Sequence, residues 1–258
     1  MLIRATWLFT ITETVLLPRA FNLALVRELH AKMQLNMGDA VIPNITCSGL
    51  IGKTKTVEDF VALEPDITYQ LIICGLNTPA VEAIKNLDLT DTLELFGAKF
   101  QVQRQPDEIT SYERLYHDSI VLEPAVEYRQ TLNFLTPTAF SQNRKYLPLP
   151  LPNLMFRSWL ERWNHFAPVY LGSDELISYL DNITAISQLR IQTRTMTIYK
   201  GQIPGFTGVV NLRLLSTDPL LTNIASLLLQ YARFAGTGTK TRLGMGATDR
   251  LNLSNDLI

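Results

Sequence analysis

The chain has 258 residues with 47% hydrophobic and 18% charged residues, a mean hydropathy of +0.09 and a net charge of −1. This composition excludes an intrinsically disordered chain, is sufficient for one or two globular domains, and shows no overall excess of positive charge for binding nucleic acid. Residues 1–17 lack the features of a signal peptide, and no long apolar run is free of polar residues. We therefore expect a cytoplasmic protein that does not span a membrane.

The first half of the chain contains the patterns of six elements. Alternating apolar and polar residues indicate strands, and apolar residues at every third or fourth position indicate helices. In chain order these are a strand at residues 2–12, a helix at 22–34, strands at 45–50 and 68–75, a helix at 78–87 and a strand at 93–102. This order is the βαββαβ pattern of a ferredoxin-like domain.

The second half predicts another unit of the same kind. Residues 119–135 are strand-rich, and they are followed by helices at 153–164 and 174–180, strands at 183–199 and 205–215, a helix at 218–234 and a strand at 243–253. The polar, turn-rich segment 106–116 marks the boundary. We therefore predict an α+β protein of two tandem ferredoxin-like domains, at residues 1–110 and 115–258.

The chain has two cysteines, Cys47 and Cys74, which lie far apart in apolar surroundings and form no CxxC motif. This pattern argues against a zinc ribbon or a redox pair. A free cysteine in such surroundings behaves as a small hydrophobic residue, so both cysteines are expected to be buried.

Glycine is concentrated near the end of the chain, where residues 236–246 read GTGTKTRLGMG after a predicted helix. Glycines allow a tight turn and close approach of the backbone to a ligand, and Lys240 and Arg242 add positive charge. These features favour a site for a polyanion, although the same glycines would also serve to end the helix and enter a strand. The segment is not a P-loop, because Thr239 separates Gly238 from Lys240.

A second segment, GLIGKT at residues 49–54, does contain the sequence Gly-Lys-Thr. A P-loop requires an earlier glycine at position 47, which is Cys47 here, and no acidic strand end suited to holding magnesium follows. The segment therefore favours an ordinary turn.

Charge is distributed unevenly along the chain. Residues 1–124 hold 10 Lys and Arg against 16 Asp and Glu, whereas residues 125–258 hold 13 against 8. Within the basic half, the predicted strand at 183–199 places Arg190 and Arg194 on one face, with Lys200 just beyond it in the same register. Three cations on one face suit a track of phosphates, but an ordinary solvated sheet face is an equal alternative.

Three histidines are candidates for acid or base catalysis. His165 lies in an aromatic helix, which favours a packed or surface histidine, and the position of His117 near the domain boundary leaves its role open. His30 lies at the border of the apolar stripe of the first predicted helix, with Arg27 on the same side. Judged alone, it is more often a boundary residue than a catalytic one.

Six segments together resemble one family. They are ALVRELHAKMQ at 24–34, SGL at 48–50, NFLTPTAF at 133–140, LPNLMFRSWLERW at 151–163, GFTGVV at 205–210 and ARFAGTGTKTRLGMGAT at 232–248. They are similar to the CRISPR-associated endoribonucleases of the RAMP superfamily that cut precursor CRISPR RNA within its repeats, in particular to cyanobacterial members. The glycine-rich stretch after a helix is the most specific of these segments.

This resemblance implies two ferredoxin-like domains that bind CRISPR repeat RNA and cleave it without a metal or other cofactor. Attack by a ribose 2′-hydroxyl would leave a 2′,3′-cyclic phosphate and a free 5′-hydroxyl. Family members commonly carry a histidine on the first helix, and His30 matches it. We expect His30 to act as base or acid, Arg27 to stabilise the phosphate, and Ser48 to be a weaker candidate as hydrogen-bond donor.

The resemblance also implies a set of RNA-binding residues. It leaves one catalytic group of the family without a clear match in this chain. The residues that match the backbone-contacting motif of the family are Gly236, Gly238, Lys240, Thr241, Arg242, Gly244 and Gly246. Some members have a lysine shortly after the histidine, but this chain has Asn36 in that region and Lys32 on the opposite face. The second catalytic group is therefore not identified.

Two other functions remain as alternatives. A relative that binds RNA as a non-catalytic subunit of an interference complex would share these segments, although the retained histidine favours the enzyme. A ferredoxin-like regulatory protein that binds a small molecule would explain neither the basic second half nor the second domain. The expected partner is repeat RNA, with other CRISPR-associated proteins as further candidates, and the chain is expected to be a monomer or a homodimer.

Overall fold

The structure is a computed structural model that describes residues 1–35, 41–89, 94–125, 127–198, 201–216 and 218–251. The strands are β1 (Leu2–Thr10), β2 (Val15–Pro18), β3 (Ile45–Ile51), β4 (Lys55–Val57), β5 (Phe60–Leu63), β6 (Tyr69–Gly75), β7 (Glu94–Leu95), β8 (Ala98–Lys99), β9 (Gln101–Arg104), β10 (Glu108–Thr110), β11 (Arg129–Thr138), β12 (Phe140–Gln142), β13 (Lys145–Leu147), β14 (Thr184–Ile198), β15 (Gly201–Leu214) and β16 (Thr248–Leu251). The helices are α1 (Phe21–Lys32), α2 (Thr78–Lys85), α3 (Tyr112–Tyr116), α4 (Pro152–Phe166), α5 (Asp174–Asn182) and α6 (Pro219–Ala235), with a π-helical turn at His117–Val121 and a 3₁₀ turn at Thr241–Leu243.

The first domain is built on an antiparallel sheet with the strand order β10, β1, β6, β3, and β9 also pairs with β1. The alternation in β1 places Ile3, Trp7 and Phe9 on the buried face, where each is at most 1% exposed. The apolar stripe of α1 and the apolar residues of α2 join them in one core. Helix α2 begins as predicted, with Pro79 in its first turn and the Asn77 side chain accepting a hydrogen bond from the Ala80 N–H.

Two parts of the first domain differ from the sequence prediction. A separate sheet with the order β2, β5, β4 lies outside the predicted elements, because its strands are too short to show alternation. The strand predicted at residues 93–102 is interrupted, since positive φ angles at Phe96 and Gly97 turn the chain between β7 and β8. Of that stretch, only β9 joins the main sheet.

The second domain has a four-stranded antiparallel sheet in the order β14, β15, β11, β16. Strands β14 and β15 form a long hairpin, paired from Thr184 and Leu214 to Ile198 and Gly201. Helices α4, α5 and α6 pack on the sheet through one apolar cluster. The expectation of strand over residues 119–128 is wrong, because the π-helical turn follows α3 there and β11 begins only at Arg129. The order of strands and helices in both halves is that of two ferredoxin-like domains.

Residues of the second domain also enter the core of the first. Met196, Ile198 and Ile203 from the hairpin end are 6–7% exposed and belong to the first domain's apolar cluster. Leu243 and Met245, from the glycine-rich loop, join the same cluster. The loop and the hairpin end are therefore fixed against the first domain. The predicted limits of the two domains, 1–110 and 115–258, stay a prediction.

A network of charged residues connects the domains on another side. Arg4 of β1 is 5% exposed, and its guanidinium lies 3.1 Å from the carboxylate of Asp249. Arg233 of α6 pairs with the same carboxylate at 2.7 Å and with Glu108 of β10 at 3.0 Å. These pairs join the first and last strands of the chain.

Both cysteines are buried and free, as the sequence predicts. Burial raises the pKa of the Cys47 thiol to about 12, so this thiol is protonated at neutral pH. Each helix in the described part of the chain is too short or too polar to cross a lipid bilayer.

Candidate active site and nucleic-acid interface

The glycine-rich loop, residues 236–246, lies between the two domains. It begins where α6 ends at Gly236, and its 3₁₀ turn contacts both β3 and α1 of the first domain. A Cβ atom added to Gly244 would lie 3.5 Å from the carbonyl oxygen of Ser48. The fold thus brings the loop to the helix that carries His30.

Close backbone contacts require glycine at two positions of the loop. A Cβ atom on Gly238, which has φ +78°, would lie 2.2 Å from the carbonyl oxygen of Ala139. A Cβ atom on Gly246, which has φ +72°, would lie 2.1 Å from the carbonyl oxygen of Thr237. These contacts explain part of the glycine content by local structure, because no other residue fits either position.

Helix α4 holds the loop from the side of the second domain. The Gly238 N–H donates to the Ser158 hydroxyl at 2.8 Å, and Arg162 donates to the Gly238 carbonyl oxygen at 2.7 Å. Arg162 also donates to the Ser158 carbonyl and hydroxyl oxygens at 2.7 and 2.6 Å. Both polar groups of the Gly238 backbone are therefore bonded to side chains of α4.

His30 is buried at this junction with 6% of its surface exposed. Neither ring nitrogen has a hydrogen-bond partner among the described residues. Burial lowers the pKa of His30, the positive charge of Arg242 lowers it further, and an attraction between the imidazole and the Leu35 backbone partly opposes both effects. The imidazole is therefore neutral at neutral pH, with a lone pair that can accept a proton. The border position predicted for His30 lies on α1 where the 3₁₀ turn of the loop contacts the helix, and the side chain is buried there.

The other two predicted catalytic residues have different surroundings. Arg27 is exposed on α1, one turn before His30. Ser48 is 2% exposed, and its hydroxyl donates to the Gly49 carbonyl oxygen at 2.6 Å and accepts from the Ile72 N–H at 2.9 Å. The Ser48 hydroxyl thus bridges β3 and β6 where their register shifts.

Arg190 and Arg194 are exposed on β14, as expected of a strand that contacts a ligand or solvent. The predicted face continues through Met196 and Ile198, but these two residues turn inward against the first domain. Lys200 lies outside the described residues. Arg194 lines a cleft of about 600 Å³ between the domains, together with Arg19 and Asn22 from the segment around the start of α1.

The residues of α4 that hold the loop were not among the predicted site residues. Ser158 and Arg162 are four positions apart and therefore lie on the same side of the helix. An arginine on the buried side of an otherwise apolar helix is the signal in the sequence that could have indicated them. The acceptor of the Arg162 hydrogen bond, the Gly238 carbonyl oxygen, could not be identified from the sequence, because only folding brings the two residues together.

The family model for the CRISPR-associated endoribonuclease Cas6 matches residues 132–248. This range runs from β11 to the first residue of β16 and contains the whole glycine-rich loop. The predicted resemblance to the Cas6 family is confirmed. The matched range does not include α1, so the Cas6 match covers the loop but not His30.

Individual Cas6 proteins agree with this match. A CRISPR-associated endoribonuclease Cas6 of Mycobacterium tuberculosis is 31% identical over 116 residues, which are 45% of this chain and 37% of that protein. One of Streptococcus thermophilus is 25% identical over 169 residues, which are 63% of this chain and 64% of that protein. Each match thus spans less than two thirds of the relative.

Solved Cas6 structures share the fold over nearly the full length. Thermus thermophilus Cas6 has a TM-score of 0.70 and 22% identity, with 97% of this chain and 98% of that chain covered. A Cas6 product complex has a TM-score of 0.72 and 18% identity, with 98% and 100% covered. At this identity the similarity establishes the fold alone, over nearly the full length of the chain.

Proposed function

We propose that this chain is a cytoplasmic endoribonuclease that binds CRISPR repeat RNA and cleaves precursor CRISPR RNA without a metal ion. The observation that carries the proposal is the position of His30, buried against the glycine-rich loop with both ring nitrogens unpaired among the described residues. A buried polar group without a partner destabilises a protein, so its presence favours a role in the reaction. Similarity to Cas6 endoribonucleases supplies the substrate class.

The proposed reaction uses the RNA as its own nucleophile. His30 accepts the proton of a ribose 2′-hydroxyl, and the 2′ oxygen forms a bond to the adjacent phosphorus. The bond from phosphorus to the 5′ oxygen breaks, and that oxygen receives a proton from the second catalytic group or from water. The products are a 2′,3′-cyclic phosphate and a 5′-hydroxyl, and a neutral imidazole suits the first step.

Positive charge near the imidazole would stabilise the phosphorane in the transition state. Arg242 is the better candidate, because its charge acts on His30, whereas Arg27 lies exposed one turn away. Ser48 has its only proton bonded to Gly49 and is the weaker candidate. The RNA backbone would lie along the loop residues 236–246 and the exposed β14 residues Arg190 and Arg194, and Lys200 is included on sequence grounds.

The decisive experiment is incubation of the purified protein with its repeat RNA in excess EDTA. Cleavage by the wild-type protein that is lost with His30→Ala, and lost when the RNA carries a 2′-deoxy group at the cut position, would support the proposal. His117→Ala is the matched control, because His117 is 55% exposed and lies in the π-helical turn rather than on α1 or the loop. Binding without cleavage would instead support the non-catalytic RNA-binding subunit.

A further inference from the structure

A groove of about 530 Å³ runs between α4 and the glycine-rich loop, and we call it the α4 groove. Its charged lining consists of Arg157, Glu161 and Arg162 from α4 and Lys240 and Arg242 from the loop. Among the described residues, four cations thus line the groove with one carboxylate. Because Arg242 also acts on His30, the groove leads away from the candidate active site.

Arg162 gives this groove a positive charge, and no carboxylate of the described residues is hydrogen-bonded to it. The side chain is 8% exposed, and its hydrogen bonds within the described structure are to neutral oxygens, those of Ser158, Gly238 and Thr241. Its Nε has no partner among the described residues. Burial lowers the pKa of this guanidinium, and the charge of Glu161 partly opposes that shift. A buried charge without a hydrogen-bonded counterion is costly.

A neutral hydrogen-bond donor would be sufficient to bind the Gly238 carbonyl oxygen. This contact alone therefore does not explain why a positively charged side chain is buried here. An anion bound in the groove would supply a further counterion beside Glu161. One ion pair on the groove wall, that of Arg157 with Asp174 at 2.8 Å, has side chains 43% and 80% exposed. Such surface pairs contribute little, so a phosphate can replace Asp174 as the partner of Arg157.

We propose that the α4 groove binds the phosphodiester backbone of the RNA beside the cleavage site, with Arg157 and Lys240 contacting phosphates above the fixed charge of Arg162. This inference rests on the proposed function, and it adds a wall of helix α4 to the RNA path along the loop. Glu161, on the same helix face, opposes binding and tunes its strength.

The test measures affinity for one repeat of the source genome's CRISPR array, synthesised with 2′-O-methyl groups so that it cannot be cleaved. Arg157→Gln is expected to weaken binding about tenfold and to reduce the slope of log affinity against log salt by about 0.7. Glu161→Gln is expected to strengthen binding a few-fold at low salt. Arg114→Gln, at an arginine 74% exposed on α3, is the matched control and leaves both values unchanged.

A second pair of variants separates the charge of Arg162 from its contact with the loop. Ser158→Ala removes a bond to Gly238 but keeps the charge, so the salt slope stays at the wild-type value. Arg162→Gln keeps amide donors but removes the charge, so the slope falls. Circular dichroism tests whether each variant is folded. If Arg162→Gln does not fold, the Arg157 and Glu161 variants still show whether the α4 groove binds the RNA backbone.

The inference is overturned if Arg157→Gln and Arg162→Gln match Arg114→Gln in affinity and salt slope. It is also overturned if the rate of cleavage of unmodified RNA falls while the slope does not change, because Arg162 would then only support the loop. If the wild-type protein binds repeat RNA but does not cleave it, the proposed function fails. The salt dependence of binding by the variants still shows whether the α4 groove binds the RNA backbone. If the wild-type protein does not bind repeat RNA, both fail.

Discussion

Burial and the positive charge of Arg242 together lower the pKa of His30, although the two residues lie at opposite ends of the chain. The loop that carries Arg242 is fixed to the second domain by α4, and it closes over the helix that carries His30. The protonation of the imidazole therefore depends on contact between the two domains.

This contact predicts the pH dependence of cleavage. The proposed base must be neutral, and its pKa in the free protein lies below the usual value of about 6.5. We expect kcat/KM to rise with pH below about 6.5 and to be constant above it, because kcat/KM reports the free enzyme. A kcat/KM that falls as pH rises through this range would show that protonated His30 is required.

The unpaired imidazole also predicts an effect on stability. His30→Leu removes two buried nitrogens without partners in the described structure and keeps a similar volume, so we expect the free energy of unfolding to rise by about 1 kcal/mol. The same substitution is expected to abolish cleavage. Urea denaturation measures the first effect, with the exposed His117→Leu as control. A loss of stability with His30→Leu would show that the histidine is a structural residue.

The glycine-rich loop offers a matched pair of substitutions. Gly246→Ala is expected to destabilise the protein by about 3 kcal/mol, because its Cβ would lie 2.1 Å from the Thr237 carbonyl oxygen. Gly97→Ala has a similar φ of +80°, but its Cβ would meet no described atom within 4 Å, so the cost is about 1 kcal/mol. Equal melting temperatures for the two variants would contradict this contact.

The charged network between the domains predicts that neutralising one of its carboxylates lowers the stability of the protein. Asp249→Asn leaves Arg4, 5% exposed, without its partner at 3.1 Å and weakens the pairing of Arg233. We expect the free energy of unfolding to fall by about 2 kcal/mol, since Arg4 keeps two backbone carbonyl oxygens and, among the described carboxylates, the more distant Glu108 at 3.8 Å. Asp118→Asn, in the exposed pair with Arg114, is the control and should change stability by less than about 0.5 kcal/mol. A change no larger than that of the control would show that Asp249 does not secure the interface.

The sequence by itself determined the elements with long, clear periodicity. The alternation in β1 and the apolar stripe of α1 depend on one buried face each, so residues such as Trp7 and Leu29 were placed correctly from spacing. The short strands β2, β4 and β5 were missed because three or four residues do not show a period. The segment before β11 was predicted as strand, but its residues form the π-helical turn His117–Val121.

Some features of the candidate site could likewise be predicted from the sequence, whereas others depend on the tertiary structure. Its glycines, its cations and His30 could be selected from residue type and motif, because each of these features is local. Only the tertiary structure decided that the loop covers His30, that the Ser48 hydroxyl is bonded between two strands, and that Arg162 lies beneath Gly238. These relationships join residues distant in sequence, and burial, charge and hydrogen bonding between them arise only when the two domains pack together.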